Sequence, residues 1–307
     1  MRAKRIAAAL LAAGMILAAL VPAMRVQAEE DAAGTAIEAA IKAMSAAKEA
    51  AAKAMLNGSA EKGSKDFEIR EGVLVSYSGK DTRVVIPEGV EEIGENAFSN
   101  QSQLEELYFP EGVEVVGQNA FYRCISLRSI KLPESLKRIE SYAFLSCTSL
   151  EEITLPGGIT KIGDSAFAGC RRLADVHFSE GATGLMGKDM FYWTQWLIDT
   201  LAEQPDETPF VIVNGTVIAV RKEDMGEGIV LPEGVTAISG RAFAGTQLVS
   251  ITLPESLKEI GEEAFRDCLD LEQVLWSASP EKIDSRAFYN CPKVKQIGLP
   301  EEITKYQ

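Results

Sequence analysis

The five cysteines are the residues best suited to redox or metal chemistry, and all five lie three residues after a phenylalanine. They are Cys124, Cys147, Cys170, Cys268 and Cys291. A tetrahedral metal site needs ligands that converge from several directions, whereas one repeated position would place its members in a column. If the repeated segments stack about 4.8 Å apart, neighbouring thiols would lie at the edge of disulfide-bonding range. Disulfides are favoured in exported proteins. Because Thr194 and Thr246 fill this position elsewhere, we predict small, buried, free thiols instead.

His177 is the only histidine and the first candidate for acid-base catalysis. It occupies the outward position of the stretch VHF, with Asp175 on the same strand. A catalytic histidine needs a nucleophile on one side and an orienting group on the other. Because a catalytic role needs both groups, we interpret His177 as a surface residue of a sheet.

Paired carboxylates such as Glu91-Glu92, Glu105-Glu106 and Glu151-Glu152 are the remaining candidates for acid-base work. Their recurrence in successive coils is typical of a solvated face. No phosphate-binding glycine motif and no calcium-loop pattern occurs. The sequence therefore predicts no catalytic, cofactor-binding or metal-binding residue.

The elements that carry these residues repeat at a fixed period. The dipeptide Ala-Phe recurs with phenylalanines at 98, 121, 144, 167, 243, 265 and 288, and Met190-Phe191 is a degenerate member. The first steps are 23, 23, 23 and 24 residues long, which lies within the range of leucine-rich repeats. One such unit cannot bury its own apolar residues, so we expect the units to stack as successive coils.

A single unit shows how each coil is built. LRSIKLPESLKRIESYAFLSC, from Leu127 to Cys147, alternates like a strand around Ile130, turns at Pro133, and then places apolar residues at winding intervals up to Phe144. Proline recurs at the same position in most units, where its fixed φ and missing N–H suit a strand leaving its sheet. Glycines 94, 117, 163 and 261 recur before Ala-Phe, where a corner favours a small residue.

The pattern LxxIxLPxxLxxIGxxAFxxC, seen in LEEITLPGGITKIGDSAFAGC from Leu150 to Cys170, resembles the BspA-like class of leucine-rich repeats. The resemblance covers residues 67–307. It implies an α/β, β-rich fold: a right-handed solenoid with a parallel sheet on one face. It also implies exported, surface-associated and often bacterial proteins proposed to attach to host matrix or other cells, and it implies no catalytic residue.

A second level of repetition divides the repeat region. FEIREGVLVSY at 67–77 and PFVIVNGTVIAV at 209–220 each precede a similar coil. Asn214-Gly215 between apolar-alternating stretches is a strong hairpin signal, and Glu71-Gly72 is its weaker counterpart. We predict a module at 67–209 with a hairpin, five coils and a Trp-containing seam, and a module at 210–307 with a hairpin and three to four coils. Ile303 and Tyr306 would belong to the last of these.

The seam carries MFYWTQWLIDTL, residues 190–201. Trp193, Trp196, Leu197 and Leu201 have spacings that align on one helical face. Exposed aromatic residues of this kind could stack on a sugar ring. The alternative, which we favour, is that they cap the fifth coil where its sheet pairing is interrupted.

The N-terminal residues differ from the repeats. Arg2, Lys4 and Arg5 precede an apolar run and the residues Val26-Gln27-Ala28, which predicts a signal peptide at 1–28 cut after Ala28. The run is long enough to span a bilayer, so an uncleaved anchor is the alternative. Residues 29–66 are rich in alanine and predict a helix followed by a linker. That helix acts either as a spacer or pairing element or as a solvated tail.

The composition and charge of the chain bear on the kind of partner that it binds. The chain has 307 residues, is 46% hydrophobic and 25% charged, and carries a formal net charge of -14. This acidity argues against a nucleic-acid partner. We expect a secreted or cell-surface adhesion module that binds a protein or glycan and needs no cofactor. Membrane contact would come only through an uncleaved N-terminal segment, and the alternative is a structural spacer or self-assembling envelope protein.

The predicted binding face consists of the outward strand positions. They are Glu106, Tyr108, Ser129, Lys131, Glu152, Thr154, Asp175, His177, Ser250, Thr252, Gln273 and Leu275.

Overall fold

The computed structural model describes residues 65–184, 187–222, 228–284 and 286–294. Every described residue belongs to a single compact unit. Three predicted features lie outside the described residues: the signal peptide at 1–28, almost all of the alanine-rich segment at 29–66, and the last coil containing Ile303 and Tyr306.

The first block of coils begins with a hairpin of β1 (Phe67–Arg70) and β2 (Val73–Tyr77). Coils 1 to 5 follow and contain Phe98, Phe121, Phe144, Phe167 and Phe191. Their first strands are β3 (Arg83–Val85), β5 (Glu106–Tyr108), β7 (Ser129–Lys131), β9 (Glu152–Leu155) and β11 (Asp175–Phe178). The second strands of coils 1 to 4 are β4 (Glu92–Ile93), β6 (Val115–Val116), β8 (Arg138–Ile139) and β10 (Lys161–Ile162).

Helix α1 (Gln195–Glu203) separates this block from a second one. The second block begins with a hairpin of β12 (Phe210–Val213) and β13 (Thr216–Val220). Coils 6 to 8 contain Phe243, Phe265 and Phe288. Their strands are β14 (Ile229–Val230), β15 (Ala237–Ile238), β16 (Ser250–Leu253), β17 (Glu259–Ile260), β18 (Gln273–Trp276) and β19 (Lys282–Ile283).

The strands form four sheets in which successive coils pair in parallel. The front sheets have the orders β11-β9-β7-β5-β3 and β14-β16-β18, and the back sheets have the orders β1-β2-β4-β6-β8-β10 and β12-β13-β15-β17-β19. Only the two hairpins pair antiparallel among the described strands. The predicted β-rich solenoid with a parallel face is confirmed, and α1 is the single helix in the described part of the chain.

Both predicted hairpin turns are confirmed. Glu71 and Gly72 have φ of 49° and 79°, and Asn214 and Gly215 have φ of 47° and 77°. Two consecutive left-handed residues are the signature of the type I′ turn, whose twist suits a two-residue hairpin. Both hairpins also carry a register shift at the same place, between the second and third residues of the first strand. Each hairpin then opens a back sheet, because β2 pairs with β4 and β13 with β15.

The repeated phenylalanines stack as a column inside each block. Phe121 and Phe144 lie 5.1 Å apart between ring centroids, Phe144 and Phe167 5.2 Å, and both pairs are nearly parallel. Phe191 continues the column at 5.3 Å, so the degenerate Met190-Phe191 pair does occupy the repeat position. In the second block, Phe265 lies 5.0 Å from Phe243. Each stacked pair adds about 0.5–1.5 kcal/mol beyond the burial of its area.

Two backbone positions in every coil have left-handed φ, which sequence reasoning did not predict. The first, two residues before the repeat phenylalanine, is Asn96, Asn119, Tyr142, Ser165, Asp189, Arg241, Glu263 or Arg286. The second, two residues after it, is Asn100, Arg123, Ser146, Gly169, Trp193, Gly245, Asp267 or Asn290. These positions aim backbone N–H groups at the next coil: Asn100 donates to the carbonyl of Tyr122 at 2.7 Å.

The glycines that precede Ala-Phe serve a different purpose. A β carbon at Gly163 would lie 2.4 Å from the backbone nitrogen of Ser141, and one at Gly117 would lie 2.7 Å from the carbonyl oxygen of Ile93. The predicted requirement for a small residue is therefore confirmed, and its cause is the close approach of the preceding coil's backbone.

The column of phenylalanines is interrupted between the two blocks, which have separate hydrophobic cores. The hairpin β12–β13 contributes to both: Val211 and Ile218 pack in the first core, and Phe210 and Val217 pack in the second. The alternation of a strand lets one hairpin present a different apolar face to each block.

Helix α1 covers the end of the first block. Thr194 caps it by accepting a hydrogen bond from the backbone N–H of Leu197 at 3.2 Å. Trp196, Leu197 and Leu201 pack against the first core, which confirms the predicted capping role for these three. The expectation was wrong for Trp193, which lies before the helix begins and is exposed.

The cysteine column is confirmed as a set of free thiols. Cys124, Cys147, Cys170 and Cys268 are buried and Cys291 is half-buried. Each thiol donates to the carbonyl of the phenylalanine in the preceding coil at 3.0–3.1 Å. Burial raises the pKa of Cys124 to about 12.

We expect Phe144→Ala to destabilise the chain by about 3–5 kcal/mol, because the ring is fully buried between two neighbours and its loss leaves a cavity in a close-packed stack. Urea denaturation would measure the change. Ile125→Ala, at an exposed apolar residue of the same region, is the control and should cost less than about 1 kcal/mol. Equal losses would contradict the stacked core.

The four buried thiols should resist alkylation in the native protein at pH 7.5, because their side chains are inaccessible to the reagent. We expect Cys291 to be labelled first and the other four at least about 100-fold more slowly than in urea. Mass spectrometry of a timed iodoacetamide reaction would measure this. A disulfide-linked peptide in a non-reduced digest would count against the assignment.

Candidate functional site

The twelve predicted binding residues all lie on the front sheets and point outward. They alternate along the strands with buried residues such as Leu107, Ile130 and Val274. Tyr108, Glu106, Ser250 and Thr252 are half-buried, and the remaining eight are exposed. The alternation therefore places every predicted residue on the solvent side of its strand.

The structure divides these residues between two sheets. Eight lie on β5, β7, β9 and β11, where Glu106 pairs with Ser129 and Thr154 pairs with His177 across neighbouring strands. The other four lie on β16 and β18 of the second front sheet. There the outward residues Val230, Thr252 and Leu275 follow one another in register, so this smaller sheet is more apolar.

Polar side chains on the larger front sheet hold Tyr108 in place. The Tyr108 hydroxyl donates to Glu106 at 2.6 Å, and Arg83 on the preceding coil lies 3.3 Å from the same carboxylate. The tyrosine ring is therefore held against its sheet by its own strand neighbour. An aromatic ring fixed before binding costs less entropy to immobilise on a partner.

His177 has the surface setting that the sequence indicates. It is exposed on β11 beside Thr154, and its imidazole forms no hydrogen bond with another described residue. Within the residues the structure describes, no three metal-ligating side chains come together either.

The paired carboxylates lie where a solvated face was predicted. Glu91 and Glu92 line an open depression of about 250 Å³ with Glu71 and Glu114. No cation is among the lining residues of this depression.

A second concavity lies where the two blocks meet, and sequence reasoning missed it. This seam cleft has a volume of about 410 Å³ and belongs to coils 5 to 7. Its lining residues are Asp189, Tyr192, Lys222, Arg241, Ala244, Gly245, Arg266 and Asp267. They come from segments far apart in the chain, so no local motif marks them.

Ion pairs hold the walls of the seam cleft together. Arg241 lies 3.0 Å from Asp189 of coil 5 and 2.7 Å from Glu263 of coil 7. Lys188 reaches Glu262 across the same junction at 3.2 Å. These contacts join the first block to the second through side chains.

Glu263 is the centre of this network and is only 3% exposed. Burial acts to raise its pKa, but hydrogen bonds from Arg241 and Arg266 outweigh burial and lower the pKa below its ordinary value. The carboxylate is therefore charged at neutral pH and compensated by arginines.

Two exposed aromatic residues stand beside the seam cleft. Tyr192 and Trp193 stack with ring centroids 4.9 Å apart and planes 21° from parallel. Tyr192 forms part of the wall. The stretch MFYW marks this pair in the sequence. The predicted helical face, however, wrongly grouped Trp193 with the residues that cap the fifth coil.

We expect Glu263→Gln to cost about 1–3 kcal/mol at pH 7, because it removes a buried charge-assisted network. A carboxyl group whose pKa is lower in the folded state stabilises the fold above its unfolded pKa of about 4.3 and loses that effect as pH falls further. The difference between the wild type and the variant should therefore shrink below about pH 4.

Urea unfolding at pH 7 and pH 3.5 would measure both values. Glu259→Gln, which alters the more exposed pair with Lys282, is the matched control and should cost less than about 1 kcal/mol. A Glu263→Gln effect that is the same at both pH values would contradict the charge-based account.

In the part of the chain that the structure describes, no helix combines the length and apolar character needed to cross a bilayer. No curated protein sequence matches the chain significantly. Solved structures do match. A leucine-rich repeat protein of T. pallidum is 22% identical, covers 79% of this chain and 92% of its own, and gives a TM-score of 0.38.

A leucine-rich repeat protein from Bacteroides ovatus is 26% identical, covers 72% of this chain and 68% of its own, and gives a TM-score of 0.37. A leucine rich cell surface protein from Faecalibacterium prausnitzii is 20% identical, covers 74% and 84%, and also gives 0.37. The model of the BspA type leucine rich repeat region matches residues 75–197 and 223–307 in six copies. Together with the stacked coils and the interior positions that recur from coil to coil, that match shows that the chain belongs to the BspA-type leucine-rich repeat family.

Proposed function

We propose that this chain is an exported, non-enzymatic binding module at the bacterial cell surface, and that its front sheets recognise a protein or glycan partner. The observation that carries the proposal is the contrast between the two sides of each front strand. The inward residues are uniformly apolar, whereas the outward residues differ in charge, size and hydrogen-bonding capacity from coil to coil.

The contrast supports binding because a repeat scaffold needs a constant interior but leaves its outer residues free to vary. The larger front sheet displays an aromatic ring, a lysine, an imidazole and several carboxylates on one surface. Such mixed chemistry suits a partner with both apolar and polar groups. The position of Tyr108, held by Glu106 at 2.6 Å, offers an ordered aromatic contact of the type that dominates binding energy.

Export is supported by the sequence at 1–28 and by membership of the family. A positively charged start, an apolar run and a small-residue cleavage motif suit a signal peptide. Surface placement fits the binding role because the front sheets would then face the cell's surroundings. The lack of a catalytic arrangement around His177 supports a role in binding over a role in chemistry.

The test is solid-phase binding of the full chain to an array of purified matrix proteins and glycans. We expect Lys131→Glu and Tyr108→Ala each to weaken binding to the identified partner by at least about tenfold, or about 1.4 kcal/mol. Lys161→Glu on the back sheet makes the same charge change on another face and is the matched control. It should leave affinity within about twofold.

Two outcomes would contradict this proposal. One is a wild-type chain that binds no member of the array. The other is a partner whose affinity falls for Lys161→Glu but not for the two front-sheet variants.

A further inference from the structure

The seam cleft and the aromatic pair beside it form a surface that the front-sheet proposal does not use. Tyr192 and Trp193 lie in the turn after the repeat phenylalanine of coil 5, away from the front strands. Neither aromatic ring lies in a hydrophobic core, unlike Trp196 a few residues later. The structure therefore exposes aromatic side chains at a second place, apart from the front sheets.

Trp193 occupies a backbone conformation that its side chain does not favour. Its φ is 61°, and most other coils place glycine, asparagine, aspartate or serine at this position. A left-handed conformation crowds the β carbon of a bulky residue, so a large aromatic there is an outlier. Outliers of this kind cluster at binding sites, where the surrounding structure sustains the strain.

Burial does not offset the strain at Trp193. The side chain is 58% exposed, and its one ring contact among the described aromatic residues is with Tyr192, itself exposed. A tryptophan kept for packing would instead bury most of its large apolar surface. Trp193 therefore lowers the stability of the fold and adds no core contacts, which points to a role in binding and not in folding.

The neighbouring coils leave the aromatic pair clear on both sides. At the two corresponding positions, coil 4 has Ala168 and Gly169, and coil 6 has Ala244 and Gly245. On the coil 4 side the backbone ladder is intact, since Gly169 donates to the carbonyl of Tyr192 at 2.7 Å. Between coils 5 and 6 no such bond joins the described residues, and the resulting gap is the seam cleft.

The polar walls of the cleft carry charged donors and acceptors in fixed positions. Arg241 is held by Asp189 and Glu263, and Arg266 is held by Glu263 at 3.2 Å and Asp267 at 3.1 Å. Lys222 is exposed and makes no ion pair with another described residue. With three cations and two carboxylates lining it, this cleft departs from the acidic surface of a chain whose net charge is -14.

We propose that the seam cleft binds a saccharide. A pyranose ring has a face of weakly positive C–H groups. That face suits the ring of Tyr192 in the cleft wall and the ring of Trp193, which stacks on Tyr192. Its rim of hydroxyls both donates and accepts, which suits Asp189, Asp267 and the two arginines. The cleft, with a volume of about 410 Å³, is open to solvent and has room for a short sugar chain.

A protein partner fits this surface less well. Stable protein interfaces bury about 800 Å² on each side around an apolar centre. The cleft instead offers one aromatic patch surrounded by charged groups, which is enough for one or two sugar rings. The proposal is also independent of the front-sheet function, because none of the twelve front residues lines the cleft.

The test begins with the full chain on an array of short neutral and acidic oligosaccharides, followed by calorimetric titration with the best of them. We expect Trp193→Asn and Tyr192→Ala each to raise the Kd by at least about tenfold, as stacked aromatic contacts dominate such sites. Both variants use residues that other coils carry at the same positions. The melting temperature of Trp193→Asn should be unchanged or higher, because asparagine tolerates the left-handed backbone.

The matched control is Tyr142→Asn, which makes a similar aromatic-to-asparagine change at a left-handed, 38% exposed position in coil 3. It should leave saccharide affinity unchanged, as should Lys131→Glu on the front sheet. A lowered melting temperature for Trp193→Asn would make the tryptophan a structural cap and overturn the inference.

Three further results would also overturn it. They are a chain that binds no saccharide of the array, affinity that survives both cleft variants, and saccharide binding lost in Lys131→Glu but kept in Trp193→Asn. The last result would assign the sugar to the front sheet, so the proposed function would stand while the cleft proposal failed.

Discussion

Every coil must present its neighbours with the same interior, and the rest of the structure depends on that constraint. Neighbouring phenylalanine rings stack with centroids 5.1 Å apart, so a residue of another shape at this position would disturb the close packing. The backbone obeys the same spacing, since two left-handed positions per coil aim N–H groups at the following coil. Glycine at positions such as Gly163 keeps the coils close enough for both contacts. Side-chain stacking and the hydrogen-bond ladder therefore impose one common period on the chain.

This constraint explains which features could be predicted from the sequence. The period of Ala-Phe required stacked coils and parallel strands, and it placed Phe121, Phe144 and Phe167 as vertical neighbours. Asn214-Gly215 predicted a hairpin because its turn type needs those residues. Recurrence of the cysteines with Thr194 and Thr246 predicted a small buried position. In each case one residue type, or a closely related set, satisfies a requirement that the fold repeats.

The seam cleft could not be predicted in this way, because its parts meet only after folding. Arg241 and Asp189 are 52 positions apart, and Lys188 and Glu262 are 74 apart. The first left-handed position of each coil was missed for another reason: residues as different as Asn96, Tyr142 and Arg241 occupy it, so composition gives no signal there. Trp193 was misplaced because its spacing to Trp196 suggested that both lie on one helical face. The helix begins only after Thr194, so Trp193 lies outside it.

Each block begins with an antiparallel hairpin and continues with coils that pair in parallel. This arrangement determines how the chain would respond to a pulling force. A pull directed along the stack would load the coils in series, and each would detach only after the bonds to its neighbour had broken. A released coil of about 23 residues can extend to roughly 75 Å, against a spacing of about 4.8 Å when folded. Such a chain would lengthen stepwise under tension and dissipate work at each step.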